Sequence, residues 1–151
     1  MKISVFAIGK ARGVEAEWAA EYLKRLGPFV SVHEFAVSKA LPPAETQKAE
    51  AQLLLRAVPS KGIVVLLDER GKDLTSRDFA AKISSWQDQG IADLSFIIGG
   101  ADGVTDEVRA RAGFTLGFGK LTWPHRLVRV MLLEQIYRAK QIIARHPYHR
   151  D

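Results

Sequence analysis

The spacing of apolar positions along the chain switches repeatedly between the period of a strand and that of a helix. Residues 2–8 form a β-branched and aromatic run of strand length, and residues 14–26 repeat their apolar positions at helical spacing until Gly27-Pro28 stops them. Residues 29–37 predict a second strand. Beyond a loop carrying Pro42-Pro43, a helix is expected over about 44–57. Residues 63–67 are a short run rich in β-branched side chains, as buried parallel strands are. Residues 75–89 read as a helix opening on a capping box, with Asp78 three residues after Thr75. Another buried strand follows at 94–98, a short helix at 105–112, a last strand at 114–118 and a last helix at 127–145. No repeat, low-complexity segment or linker interrupts the series. Strands alternating with helices predict an α/β fold on a mainly parallel sheet flanked by helices.

Composition narrows this little further. A chain of 151 residues fits one domain, 1–151, large enough to bury a core. No apolar run approaches the ~20 residues that span a bilayer, so no membrane partner is expected. The opening MKISVFAIGKARG lacks the apolar stretch and cleavage site of a secretion signal and reads as the first strand. The absence of cysteine excludes disulfides, thiolate zinc sites and a cysteine nucleophile, and it fits a cytoplasmic protein.

Charge changes the picture more. The net charge is +5, and residues 120–151 carry seven Lys/Arg against two acids while the rest holds 15 of each. Three of the four histidines, His125, His146 and His149, fall in the same segment. A basic balance confined to one end points to a polyanion-facing surface, against the plainer reading of a solvated helix face.

Three loops after buried strands stand where open α/β sheets bind ligands: LLDERGK at 66–72, IIGGADG at 97–103 and FGKLTWPH at 118–125. The glycine pair permits close backbone approach, but its spacing is not the dinucleotide-binding GxGxxG, and alone it reads as a tight turn. Pro124 suits the first turn of a helix, with Thr122 or His125 as capping chemistry. Asp68, Asp73 and Asp102 match no ligand spacing, so no metal is expected. In the last helix, Glu134, Arg138, Gln141 and Arg145 form one polar stripe. The remaining apolar arc is wider than a surface helix usually buries, which means either a sandwiched helix or, the favoured reading, a dimer interface. The chain then ends on HPYHRD, chemically dense for a terminus.

In order along the chain, LDxxGK at 67–72, IGGxxG at 98–103, LTxPH at 121–125, LVR…EQxYRA at 127–139 and HPYHR at 146–150 resemble the bacterial large-subunit rRNA pseudouridine-N3 methyltransferases. These belong to the SPOUT class of S-adenosylmethionine (SAM) enzymes. The resemblance implies a SPOUT α/β-knot fold with a C-terminal trefoil knot, a homodimer, SAM as methyl donor without a metal, and 23S rRNA within the assembled ribosome as substrate. By position, Leu67, Gly100, Lys120, Leu121, Thr122, Trp123, Pro124 and His125 would line the donor pocket.

N3 of a pseudouridine is an imide nitrogen that must lose a proton. His149 is the candidate proton acceptor. Tyr148 is expected to position the base, and Arg150 to hold a phosphate or the developing oxyanion. The tail would complete the partner's pocket, the plainer reading being a terminus docked on the core. Arg126, Arg129, Arg138, Arg145, Lys120 and Lys140 are expected as phosphate contacts. A SPOUT enzyme acting on another RNA atom and a non-catalytic ribosome-binding module are the competing functions.

Overall fold

The computed structural model describes residues 1–38 and 40–150. Its elements are β1 (Lys2–Ile8), α1 (Gly13–Leu26), β2 (Val30–Phe35), α2 (Pro43–Ala57), β3 (Ile63–Asp73), α3 (Ser76–Asp88), β4 (Asp93–Ile98), α4 (Asp106–Arg111), β5 (Phe114–Gly117) and α5 (His125–Ile143). The strands pair in parallel in the order β2-β1-β4-β3-β5. The α/β sheet flanked by helices therefore forms as the periodicity requires. Because side chains alternate across a strand, Ile3, Val5 and Ala7 of β1 join Leu94, Phe96 and Ile98 of β4 beneath α1, α3 and α5. Phe6, Ile8, Val64, Leu66 and Ile97 face α2 and α4 on the other side. At α3 half of the capping box forms: the Thr75 hydroxyl oxygen accepts from the Asp78 amide at 3.0 Å, while the Asp78 carboxylate accepts from that hydroxyl at 2.8 Å rather than from the Thr75 amide.

The apolar run of β3 ends at Leu67, yet the strand continues to Asp73. Residues 65–67 pair with 114–116 of β5, the chain then bulges, and Lys72 and Asp73 pair with Leu116 and Gly117. This polar second half joins the sheet by backbone bonds alone, which leave no hydrophobic period to read. Two glycines let the backbones pass. A Cβ on Gly71 would lie 2.5 Å from the Leu116 carbonyl carbon, and one on Gly117 would lie 3.0 Å from the Gly71 oxygen.

α5 accounts for its wide apolar arc mostly within the chain. Val130, Leu132, Leu133, Ile136 and Ala139 are buried against the sheet between α1 and α3, so the sandwiched reading holds for much of the arc. What remains is a groove of about 560 Å³ where Trp18, Tyr22, Leu127 and Met131 are among the walls. Two residues past the helix, Arg145 takes a left-handed φ of 56°. The Arg145 amide donates to the Ile142 oxygen and the His146 amide to that of Gln141, a helix end that glycine normally makes. Arginine there is unfavourable by roughly 1 kcal/mol, and the turn sends the tail back along α5.

Candidate active site

The carboxyl ends of β3, β4 and β5 open on a cavity of about 420 Å³, within the range of small-molecule sites. Leu67, Gly100, Leu121, Thr122, Trp123 and His125 line it. Lys120 and Pro124 belong to the same segment but not to its wall. Asp68, Ile98, Gly99 and Phe118, which fall within the three loops the sequence singles out but not among its candidate pocket residues, also line it, as does Arg109 from outside those loops. The apolar strand ends could have announced Ile98 and Phe118. Nothing local announces Asp68 and Arg109, which lie 41 positions apart and meet only in the fold.

Polar anchors hold the loop from 118 to 125. The Gly119 amide donates to Asp73 at 3.0 Å, the Thr122 hydroxyl to Glu69 at 2.7 Å, and the Trp123 indole to the Phe118 oxygen at 2.9 Å. Thr122 thus anchors the loop instead of capping α5. Pro124 stands at the N-cap position, and no side chain caps the helix. Leu121 and Trp123 are left 72 % and 40 % exposed at the rim.

The 99–104 loop rests on α2. Gln47 donates to the oxygens of Asp102 at 2.9 Å and Val104 at 3.3 Å. One turn on, Glu50 is 4 % exposed with one carboxyl oxygen lacking any hydrogen-bond partner. Burying such an atom costs about 1–3 kcal/mol. Desolvation, then repulsion from Asp102, pushes its carboxyl above the usual range.

Burial alone would raise the Asp68 carboxyl. Bonds from the Arg70 amide at 2.8 Å and the Arg109 guanidinium at 2.7 Å, with the Arg70 side chain, instead hold it below the usual range. Desolvation, with Arg126 and Arg129 nearby, pushes the His125 imidazole down. The cavity therefore presents a fixed carboxylate and a neutral imidazole at neutral pH.

Arg129 corrects the expected basic surface. It is 1 % exposed and donates to Glu34 at 2.5 Å and to the oxygens of Gly9 at 2.8 Å and Ile8 at 3.4 Å. Glu34 also accepts the Ala11 amide. Arg129 is thus a strut joining α5 to the ends of β1 and β2, beside the His125 ring that packs on Gly9. Arg138 is likewise committed to Glu134. Of the six expected phosphate contacts, Lys120 and Arg145 are exposed, and Arg126 and Lys140 are half-buried. Replacing Arg129 by Met takes from the carbonyls and from Glu34 their cationic partner and leaves Glu34 only the Ala11 amide. Because Glu34 retains some solvent contact, the expected loss is about 2–3 kcal/mol, read as a lower urea midpoint at unchanged slope. A midpoint equal to wild type would contradict the strut.

Tyr148, His149 and Arg150 do not line this cavity. The tail docks on its own α5. The Tyr148 hydroxyl donates to Glu134 at 3.2 Å, and its ring packs edge-on to Tyr137 at 4.8 Å beneath the Arg138 guanidinium. Burial, then Glu134 and Tyr22, raises the Tyr148 hydroxyl, which stays a phenol. Arg138 lies 3.1 Å from His149 Nδ1. A guanidinium only donates, so Nδ1 accepts, and a neutral His149 ring carries its hydrogen on Nε2. His146 accepts the Tyr148 amide at 3.2 Å and so folds the tail. Among the described residues no three His, Asp or Glu side chains gather as metal ligands, and no helix is long and apolar enough to cross a membrane.

A family model described as "Predicted SPOUT methyltransferase" matches residues 1–149. The chain belongs to the SPOUT methyltransferase family. Among its SPOUT relatives, a Rhodospirillum centenum protein named ribosomal RNA large subunit methyltransferase H is 50% identical over 151 residues, covering 99% of each chain. A Rhizobium rhizogenes protein of the same name is 45% identical over 159 residues, again covering 99% of each. Solved structures share the fold. A methylase family protein of Neisseria gonorrhoeae has a TM-score of 0.59 at 11% identity, over 99% of this chain and 87% of its own. A Legionella pneumophila methyltransferase solved with SAM has a TM-score of 0.51 at 13% identity, over 93% of this chain and 66% of its own.

Proposed function

We propose that this SPOUT methyltransferase transfers the methyl group of SAM to N3 of a pseudouridine in 23S rRNA of the assembled ribosome, as a cytoplasmic homodimer of one-domain chains whose sites are shared between protomers. The observation that carries this reading is a separation. A cavity walled by the motif-bearing loops lies at the strand ends, while the chemically dense tail is docked elsewhere, on α5. The relatives' printed name supports the substrate class.

The cavity fits the donor. Its paired glycines allow a ligand against the backbone, Leu67, Ile98 and Phe118 offer apolar walls, and a neutral His125 does not repel a cation. When bound, SAM supplies a methyl carbon on a positively charged sulfur. The protein aligns the acceptor nitrogen with it and supports the charge that builds on the imide. Leu121 and Trp123, exposed at the rim, offer a surface on which an unpaired base can rest.

The dimer reading is supported by the groove between α1, α3 and α5, with Trp18 53 % exposed beside it. Tyr148 is tied to Glu134, which borders that groove. A second copy seated there meets the first copy's tail. The knot implied by the resemblance belongs to this reading, in which the two-part pairing of β3 with β5 brings the Gly71 and Gly117 backbones close together.

Within the tail, the His149 tautomer set by Arg138 suits donation from Nε2–H to an imide oxygen. Proton acceptance by His149 requires Arg138 to release Nδ1. Arg150 is exposed and available to phosphate.

The test uses ribosomes from a strain lacking this protein, with radiolabelled SAM and mapping of the labelled nucleotide. Label on N3 of a 23S pseudouridine is expected, and label elsewhere or only on tRNA overturns the substrate. Co-expressed, differently tagged protomers test the shared site. A dimer of one His149→Ala chain and one chain whose cavity is filled by Leu67→Trp should regain activity that neither homodimer has. No recovery would sink the tail's action in trans.

A further inference from the structure

Glu50 is unused by this mechanism, yet its buried carboxyl, with one oxygen lacking any partner, is a poor choice for packing alone. It stands on the far side of the 99–104 loop from the cavity. A methyl group on Gly100 would come within 2.7 and 2.8 Å of its two carboxyl oxygens and 3.1 Å of the Ile8 side chain. The carboxyl is therefore pressed on the backbone at the residue whose other side walls the cavity. Gln47, one turn before it on α2, holds the same loop by the Asp102 and Val104 oxygens. The loop closes on itself where the Gly103 amide donates to the Gly100 oxygen at 3.1 Å. One helix thus sets the loop with two polar side chains, one bonded to it through its amide nitrogen and one with a carboxyl oxygen that has no partner.

We propose that Glu50 is a positioning residue for the methyl donor: its carboxyl braces Gly100 from behind and fixes the loop in the shape that SAM binding needs. The inference rests on the reading of the cavity as the SAM site. Burial and the nearby Asp102 shift the Glu50 carboxyl upward, and glutamine keeps its shape and a polar end while removing the charge. A residue kept only for stability behaves differently. Replacing an unpaired buried polar group by an apolar one of similar size is neutral or stabilising, so here stability and donor affinity should move apart.

In titration calorimetry with SAM, Glu50→Leu is expected to weaken binding by about tenfold or more while its melting temperature stays level or rises. In methyl transfer, the KM for SAM should rise while kcat at saturating SAM changes by less than about twofold, the signature of lost binding. Glu50→Gln, with the same shape and a polar end, should bind SAM within about threefold of wild type. Gly100→Ala should weaken SAM binding, and adding Glu50→Ala should recover part of the loss by making room for the methyl group. SAM affinity unchanged in Glu50→Leu, or weakened only in step with a lowered melting temperature, overturns the inference. The cavity's own assignment is checked separately: if Leu67→Trp leaves SAM binding intact, it is the location of the donor site that fails.

Discussion

Gly71→Ala is expected to cost about 3 kcal/mol or more in folding stability and to abolish SAM binding in whatever chain still folds. The added carbon would meet the Leu116 carbonyl carbon at 2.5 Å, the Gly117 nitrogen at 2.7 Å and the Leu116 nitrogen at 2.9 Å. All three are backbone atoms, so no rotamer change relieves the contact. β5 pairs through Leu116 with both halves of β3, and a shift there uncouples one half. It also displaces Asp73, whose carboxylate holds the Gly119 amide at the start of the cavity's outer loop. Against a typical total of about 5–15 kcal/mol, such a loss is severe. Gly90→Ala is the control. Gly90 has φ +75° with nothing within 4 Å of the added carbon, so only left-handed strain of about 1 kcal/mol is expected, with SAM binding unchanged. Urea unfolding and calorimetry on the two variants separate close approach from backbone strain. A Gly71→Ala chain as stable as Gly90→Ala would sink the steric account.

The same region shows why part of the fold was legible and part was not. β1, the first half of β3, and β4 bury both faces, so their apolar runs announce them. The second half of β3 pairs with β5 only through its backbone, and DERGKD reads as loop. The cavity loops were legible because glycine, proline and an aromatic cluster after strand ends. Their anchors, Asp73 and Glu69, bond residues about fifty positions away, where no local period reaches. Arg129 is a different case, because a signal existed. At about 100° per residue, it stands about 140° from Glu134, well off the polar stripe of α5 and between Val128 and Val130. A cation inside an apolar arc is a buried strut in waiting, and its partner Glu34 lies 95 positions earlier. Likewise the tail's composition marked it as functional, while its docking through Glu134, Tyr137 and Arg138 needed the turn at Arg145.

His149→Ala is expected to lower methyl transfer by about a hundredfold or more, with SAM affinity and melting temperature near wild type. The side chain lies outside the cavity of its own chain, so donor binding has no reason to follow it. Its docking contacts are half-buried, which limits the effect on folding. Whether the ring accepts a proton or donates a hydrogen bond is read by His149→Gln. The glutamine amide can offer an N–H where Nε2–H stands but cannot take up the imide proton. Under donation, the tautomer that Arg138 sets in this structure, His149→Gln retains at least about tenfold more activity than His149→Ala. Under proton acceptance the two fall together. Arg138→Leu sharpens the distinction, because it removes the Arg138 contact at Nδ1 and lets the hydrogen move there. A donor that depends on Nε2–H loses rate in that variant, whereas an acceptor loses a competitor for its lone pair and keeps or gains rate once Tyr148 remains docked on Tyr137. A His149→Ala enzyme within about threefold of wild type at saturating ribosomes and SAM would remove the tail from the chemistry altogether and leave it as a terminus folded back on its own helix.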